Sequence, residues 1–344
     1  GRDRADDLLA QRASVRPGPH PFGGGSALDL ALGDPPAAVS SPAVFVGPKA
    51  SSFAAAAVRA GGGELVASPA AADAIVWLDH RDTTGLAEAI AQAPALRWVQ
   101  LPFAGVDNFV ESGVVDGSIA WTSAKGAYAK PVAEHALALA LAGLRALRRR
   151  VEARSWGEPY AETLFGAKVA VLGAGGIASV LLSLLAPFGV SATVVRRRPG
   201  PVDGAAEVVG LDALHSALRG SLVVFLALSL TPETRGVIGR SELEAMEENA
   251  WLVNVARGPH VDTGALVEAL RQGAIGGAAL DVTDPEPLPD GHPLWELPNC
   301  IVTPHTADTP EMVRTLLAER IYENVRRFAT GEELVGLVDP DAGY

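Results

Sequence analysis

The stretch Lys168-Val169-Ala170-Val171-Leu172-Gly173-Ala174-Gly175-Gly176-Ile177-Ala178 decides the fold. A run of strand character enters G-x-G-x-x-A, and an apolar helical pattern then continues to about residue 188. Gly173 permits a tight turn, Gly175 lets backbone approach a pyrophosphate, and Ala178 is small enough for close helix-to-strand packing. Gly176 and Ile177 open the helix, whose first amides would face the anion. Such a glycine set is weak evidence alone, but between a strand and a helix it reads as dinucleotide binding in a βαβ unit.

Working outward, strand-like runs at 192–195, 222–228, 251–255, 278–281 and 300–303 follow, with helical segments near 211–218, 241–248 and 263–272 between several of them. Right-handed crossovers wind such a series into an open parallel sheet covered on both faces. Upstream, runs at 43–46, 64–66, 75–78 and 97–100 alternate with helices near 52–60 and 85–92, which predicts a second, smaller set of βα units. A long helix over 132–150 connects the two, with Glu134 near its start and Arg148, Arg149 and Arg150 at its end, the order the helix dipole favours. A last helix near 311–328 is expected to return to the first domain.

The fold class is therefore α/β, a Rossmann-type doubly wound parallel sheet inserted into a smaller flavodoxin-like α/β domain. The boundaries expected are an extension over 1–42, a substrate domain over 43–126, a dinucleotide-binding domain over 127–307 and a return over 308–344. Residues 1–42 are Gly-, Pro-, Ser- and Ala-rich without a sustained period and receive no function.

Composition excludes several classes. The 344 residues suit two domains, and 48% hydrophobic with 20% charged residues is a globular balance. A net charge of −12 offers no broad basic face, so nucleic acid is not an expected partner. The single cysteine, Cys300, rules out an internal disulfide and a cysteine-based metal site, and no metal is expected. No apolar run reaches the ~20 residues of a membrane span, and the mixed-charge start is unlike a signal peptide, so a cytoplasmic protein is expected. No C-terminal regulatory domain is expected either.

At the end of the strand after the glycine loop, an NAD-binding unit usually places an acid for the adenosine ribose. Here the text is Val195-Arg196-Arg197-Arg198-Pro199, with Arg196 at the acid's place. Guanidinium groups form charge-assisted bonds with a 2′-phosphate, so NADP(H) is favoured, with Arg197 a contributor equal to Arg196. NAD(H) remains possible, and the competing reading is a solvated basic turn.

Three polar groups follow three separate strands: Arg257 after 251–255, Glu286 after 278–281 and His305 after 300–303. In a parallel doubly wound sheet those carboxyl ends border one crevice, so the three can converge beside a nicotinamide.

The sequence resembles the D-isomer-specific 2-hydroxyacid dehydrogenases over residues 43–330. The matching text is Leu164-Phe165-Gly166-Ala167-Lys168, Leu230-Thr231-Pro232-Glu233-Thr234-Arg235-Gly236, Asn254-Val255-Ala256-Arg257-Gly258, Leu280-Asp281-Val282 through Glu286-Pro287, and Thr303-Pro304-His305. Ala104-Gly105-Val106-Asp107-Asn108 and Val132-Ala133-Glu134 also fit. The resemblance implies that His305 is the general acid, that Glu286 holds and charges its imidazole, and that Arg257 clamps the substrate carboxylate. It implies Thr234, Val255, Ala256 and Asp281 beside the cofactor, Asp281 on the nicotinamide carboxamide, and amides of Ala104 and Gly105 on the substrate carboxylate. A homodimer is the implied assembly, with the apolar 132–147 helix as its interface.

The departures are Asp308, where a glycine is common, and Ser229-Leu230-Thr231 in place of P-L-T. Bulky Phe103 and the lack of an extra basic cluster argue against a phosphorylated substrate. His135, on an apolar helix, reads as a satisfied packing or interface residue rather than a ligand. The expected function is NADPH-linked reduction of a small 2-keto acid such as glyoxylate or hydroxypyruvate. Its alternatives are an NAD-linked D-2-hydroxyacid dehydrogenase of phosphoglycerate type and a non-catalytic, nucleotide-sensing, corepressor-like protein.

Overall fold

The computed structural model describes residues 41–340, so all but Ser41 and Pro42 of the N-terminal extension lie outside the described residues. The chain divides into two compact units: one runs to Ala127 and resumes at Pro310, and the other is Tyr128–Thr309. We call them the split unit and the inserted unit.

The split unit is built on β1 (Ala43–Gly47), β2 (Glu64–Val66), β3 (Ala74–Trp77), β4 (Trp98–Gln100) and β5 (Ala120–Thr122). They pair in parallel in the order β2-β1-β3-β4-β5, the flavodoxin-like winding. All four residues of β3 are buried, as expected of a central strand covered on both faces. The helix Ser52–Ala60 starts at Ser51, whose hydroxyl accepts from the Ala54 amide. The C-terminal helix Pro310–Thr330 packs on it in this unit. Buried Asn324 secures that return by donating to Gln100 Oε1 at 2.8 Å and to the Val335 carbonyl at 2.9 Å, while the Val335 amide donates to Asn324 Oδ1 at 2.8 Å. A buried amide satisfied on both ends specifies one docking register.

The inserted unit carries β6 (Lys168–Leu172), β7 (Ser191–Val195), β8 (Glu207–Val209), β9 (Val223–Leu226), β10 (Trp251–Asn254), β11 (Gly277–Leu280) and β12 (Cys300–Val302). The order β12-β11-β10-β9-β6-β7-β8 is all parallel and reverses direction between β6 and β9. That reversal is the switch point where a doubly wound sheet opens a crevice at its carboxyl edge. Every residue of β9, β10 and β11 is buried.

Three elements escaped the sequence reading. These are the helix Asp107–Glu111 and the strands β5 and β8, of 5, 3 and 3 residues, and the 4-residue helix Pro293–Glu296 escaped with them, all too short to show a period. The expected 132–150 helix is two helices, Ala129–Leu144 and Leu147–Glu152, broken at Ala146 in the left-handed conformation with φ 49°. Val132, Ala133, Ala136, Leu139, Ala140 and Leu144 are buried within the inserted unit itself, where the helix packs on Gly176–Leu185 and β10.

Gly143 shows how tight that packing is, because a methyl group there would overlap the indole of buried Trp251. Gly-to-Ala inside a helix ordinarily stabilises by about 1 kcal/mol. Gly143→Ala is expected to reverse that sign and destabilise by about 1–3 kcal/mol, the usual cost of overpacking, and a urea midpoint at or above the parent's would contradict this.

Candidate active site

The turn from β6 into the helix Gly176–Leu185 is set by two glycines doing different work. Gly173 has φ +111°, and any Cβ there would overlap the Ala227 carbonyl at the exit of β9, so only glycine fits. Its amide donates to the Val195 carbonyl at 2.8 Å, which ties the turn to β7. Gly175 precedes the helix in an extended conformation, no side chain caps the helix there, and a Cβ at Gly175 would meet nothing within 4 Å. Backbone amides at the helix start therefore border open space, the arrangement that receives a phosphate. Ala178 is fully buried, consistent with its expected packing role, and Ile177 stands partly exposed in the first turn.

β7 ends in the arginine run. The Arg196 amide still donates to the Val209 carbonyl at 3.0 Å, so Arg196 is half-buried at the sheet edge while Arg197 is exposed. Arg197 lies in electrostatic reach of Glu233, an exposed acid held below its ordinary value first by a hydrogen bond from Thr231.

At the ends of β10, β11 and β12 the structure gathers a charged cluster. Beyond β10, buried Asn254 accepts from the Ala256 amide at 3.0 Å and donates to the Arg257 carbonyl at 2.9 Å. That Asn-built turn buries Val255 and Ala256 and brings out Arg257, whose Nη1 donates to the Ala256 carbonyl at 2.8 Å. Beyond β12, His305 takes the left-handed conformation with φ 52°, which few non-glycine residues adopt. Its amide donates to the Asp281 carbonyl at 2.8 Å, and its Nδ1 lies 2.7 Å from Glu286 Oε1. The pair is 47% and 42% exposed, open enough to meet a ligand.

The electrostatics favour a charged pair. The hydrogen bond to Glu286 raises the His305 pKa; burial and Arg257 oppose it, and the charges of Glu286 and Asp281 add to it. Burial pushes the Glu286 carboxyl up, but the His305 hydrogen bond and charge, the Thr283 amide and Arg257 outweigh it and leave it lowered. Asp308 is raised, first by burial and also by Asp281, against the opposing pull of His305 and Arg257.

Behind this cluster lies a buried scaffold. Asp281, 2% exposed, accepts on Oδ1 from the Thr303 hydroxyl at 2.6 Å and the Thr306 amide at 2.9 Å, and on Oδ2 from the Ala307 amide at 3.1 Å. His135 Nε2 stands 3.3 Å from the same Oδ1 and 3.1 Å from Thr303 Oγ1. Burial alone would raise the Asp281 carboxyl, yet these donors hold it below its ordinary value.

Residues 135–307, about half of the chain, match the family model for the D-isomer specific 2-hydroxyacid dehydrogenase NAD binding domain. A glyoxylate reductase from Aeropyrum pernix is 37% identical over 268 residues, 73% of this chain and 78% of its own length. The chain belongs to the D-isomer specific 2-hydroxyacid dehydrogenase family. Among solved structures, a family member from Xanthobacter autotrophicus Py2 in complex with NADPH and MES aligns at TM-score 0.77 and 31% identity, covering 88% of this chain and 100% of that one. An NADPH-dependent glyoxylate/hydroxypyruvate reductase from Sinorhizobium meliloti, in complex with NADP and sulfate, aligns at TM-score 0.73 and 26% identity over 88% of this chain and 100% of that one. The protein is thus an oxidoreductase of 2-hydroxy acids that uses a nicotinamide dinucleotide.

For this dehydrogenase, Arg257, Glu286 and His305 come together at one edge, as the sequence suggested. The Asp281 carboxylate accepts from Thr303, Thr306 and Ala307, with His135 beside it, and so braces the 303–307 loop. The Thr234 hydroxyl donates to the Ser229 carbonyl at 2.8 Å and accepts from the Thr231 amide at 2.8 Å, so it shapes its own loop. Ala104 and Gly105 lie in the split unit at the carboxyl end of β4, with His80 set edge-on to Phe103 at 5.1 Å beside them.

His135, Asn254 and Thr303 are site residues whose supporting roles the sequence did not disclose. Asn254 had a local signal, since an Asn ending a buried strand must find partners for its amide. His135 had none, because its partners lie 146 and 168 positions away. Asp281→Ala removes the acceptor from buried donors, each costing about 1–3 kcal/mol when unsatisfied. A lower unfolding midpoint together with faster amide exchange at Thr306 and Ala307 is expected, and unchanged exchange there would contradict the assignment.

Proposed function

We propose that this dehydrogenase works mainly as an NADPH-dependent reductase of small 2-keto acids, with glyoxylate and hydroxypyruvate as its substrates. The observation that carries the proposal is the 2.7 Å Glu286–His305 contact with Arg257 in electrostatic reach of both.

When bound, the dinucleotide supplies the hydride. Gly173, Gly175 and the helix amides from Gly176 on would hold its pyrophosphate, and Arg196 and Arg197 its 2′-phosphate. Protonated His305 gives its proton to the carbonyl oxygen at C2 while that carbon gains the hydride, so the carbonyl becomes an alcohol. Glu286 keeps the imidazolium charged and turned toward the substrate. The Arg257 fork binds the carboxylate and draws electron density from the neighbouring carbonyl. In oxidation the same imidazole, neutral, takes the proton back.

The reductase reading is supported by the arginine run and by relatives: the Aeropyrum pernix protein carries the name glyoxylate reductase, and the Sinorhizobium meliloti protein is described as NADPH-dependent. No helix among the described residues is long and apolar enough to cross a membrane, and we propose a cytoplasmic enzyme. We also propose a homodimer that uses the apolar side chains Leu147, Val151, Trp156, Tyr160 and Phe165, all exposed along one stretch, with Trp156 98% exposed.

Two measurements test the chemistry. Because His305 must be protonated for reduction and its pKa is raised by Glu286, kcat/KM for reduction is expected to stay level below an inflection above the ordinary histidine value of about 6.5 and to fall beyond it. Glu286→Gln is expected to move that inflection down; an unmoved inflection would refute the pairing. Replacing Arg196 and Arg197 together by Ser is expected to weaken NADPH at least about tenfold, the scale of a lost charge-assisted bond, with little change for NADH. Equal losses for both nucleotides would sink the 2′-phosphate assignment.

A further inference from the structure

His260 has no part in the chemistry described so far, yet it is fully buried within three residues of Arg257. Its ring nitrogens each face a backbone carbonyl: Nδ1 is 3.0 Å from Thr234 O and Nε2 is 3.2 Å from Leu228 O. Carbonyl oxygens only accept, so the imidazole serves this place as a donor. Those two carbonyls are the base of one loop, 228–236, which leaves β9 beside the β6–β9 switch point and the glycine turn.

The backbone extends the connection. The Gly236 amide donates to the Pro259 carbonyl at 2.8 Å, Ile238 to His260 at 3.0 Å, and Asp262 back to Ile238 at 2.9 Å. At the other end, Gly258 sits so close to the Thr283 carbonyl that any Cβ would overlap it, and the 258–260 turn starts at Arg257. The loop beside the nucleotide turn and the segment that carries the substrate guanidinium are therefore one body, and the imidazole is the side chain that holds its two halves from beneath.

We propose that His260 is a positioning residue that couples the 228–236 loop to Arg257, so that nucleotide and keto acid share one support. The coupling rests on the reading of Arg257 as the carboxylate clamp and of the glycine turn as the nucleotide site. Without a donor at 260, the loop base loses its anchor and the Arg257 turn loses its partner, so both ligands weaken together. A residue that merely filled space would alter thermal stability and leave the two affinities alone.

The test compares His260→Phe, which keeps the ring and removes the donors, with His260→Gln, which keeps an N–H donor. NADPH and NADP+ affinities are measured by calorimetry without substrate, steady-state constants with glyoxylate, and amide exchange over 228–238 and 257–262. For the Phe variant at least fivefold losses are expected in both nucleotide Kd and glyoxylate KM, with faster exchange confined to those two segments and partial recovery in the Gln variant. Wild-type affinities and exchange in the Phe variant, or a lower melting temperature with both constants intact, overturn the proposal. If the Phe variant does not fold, the Gln variant decides: loop exchange and nucleotide affinity closer to wild type than a third variant, His260→Leu, support the proposal, and no difference between Gln and Leu overturns it. Failure of the wild-type enzyme to reduce any 2-keto acid would count against the reductase reading alone, because nucleotide affinity and exchange read the coupling without turnover.

Discussion

A single buried carboxylate organises the reactive edge of this dehydrogenase. Asp281 gathers the Thr303 hydroxyl, two backbone amides and the His135 ring around itself, while its own carbonyl receives the His305 amide. Left alone, a carboxylate at 2% exposure would protonate or draw in water, so the four donors are a condition of its being buried and charged. The same donors fix the backbone on either side of His305 and hold that residue at φ 52°. A conformation that costs a non-glycine residue about 1–3 kcal/mol persists only when its surroundings over-determine it, and here a charged hydrogen-bond network supplies that excess.

Around this fixed point the chemistry divides into what must be rigid and what must titrate. Asp281 is held charged by contacts that do not involve the substrate. Glu286 and His305 are half-exposed, and each shifts the other: the acid is lowered, the imidazole raised. Arg257 acts against the histidine and in favour of the glutamate, so the three charges are balanced rather than simply paired. Asp308, raised first by burial, adds a fourth titrating group. Its response to His305 and Arg257 means that the protonation of the Glu286–His305 pair belongs to the cluster, not to one residue.

Much of this arrangement was legible in the sequence because the candidate site residues follow strand ends, and strand ends are marked by apolar runs that stop. Gly173, Gly175, Arg257 and His305 fall just past such stops, and Glu286 follows further along the loop after β11. Less legible was which polar residue faces the ligand and which faces the protein. Asp281 and Thr234 carry the residue types of ligand contacts, and the bonds each makes within the protein, which brace the loops around them, have no signature in the local sequence. Short elements such as β5 and β8 were lost for another reason, since three residues cannot express an alternation. The break at Ala146 was hidden because alanine is the best helix former; tertiary contacts, among them Arg148 donating to the carbonyls of Leu297, Trp295 and Cys300, redirect the chain there.

The strand exits share a logic that explains why support and reactivity separate so cleanly. At β10 buried Asn254 bends the backbone and Arg257 emerges three residues later; at β12 Thr303, tied to Asp281, bends it and His305 emerges two later. At β10 the short polar side chain turns inward to backbone groups that the sheet can no longer pair, at β12 it turns inward to a buried carboxylate, and in each case the long side chain follows further along. The polar groups nearest the strands are therefore spent on geometry, and those a few residues on are left for chemistry. His260 extends the rule by one turn, since its ring spends its donors on the neighbouring loop just where Arg257 has left the protein interior. An enzyme assembled this way can change what its outward residues meet without rebuilding the sheet, because the inward set carries the cost of holding the backbone in place.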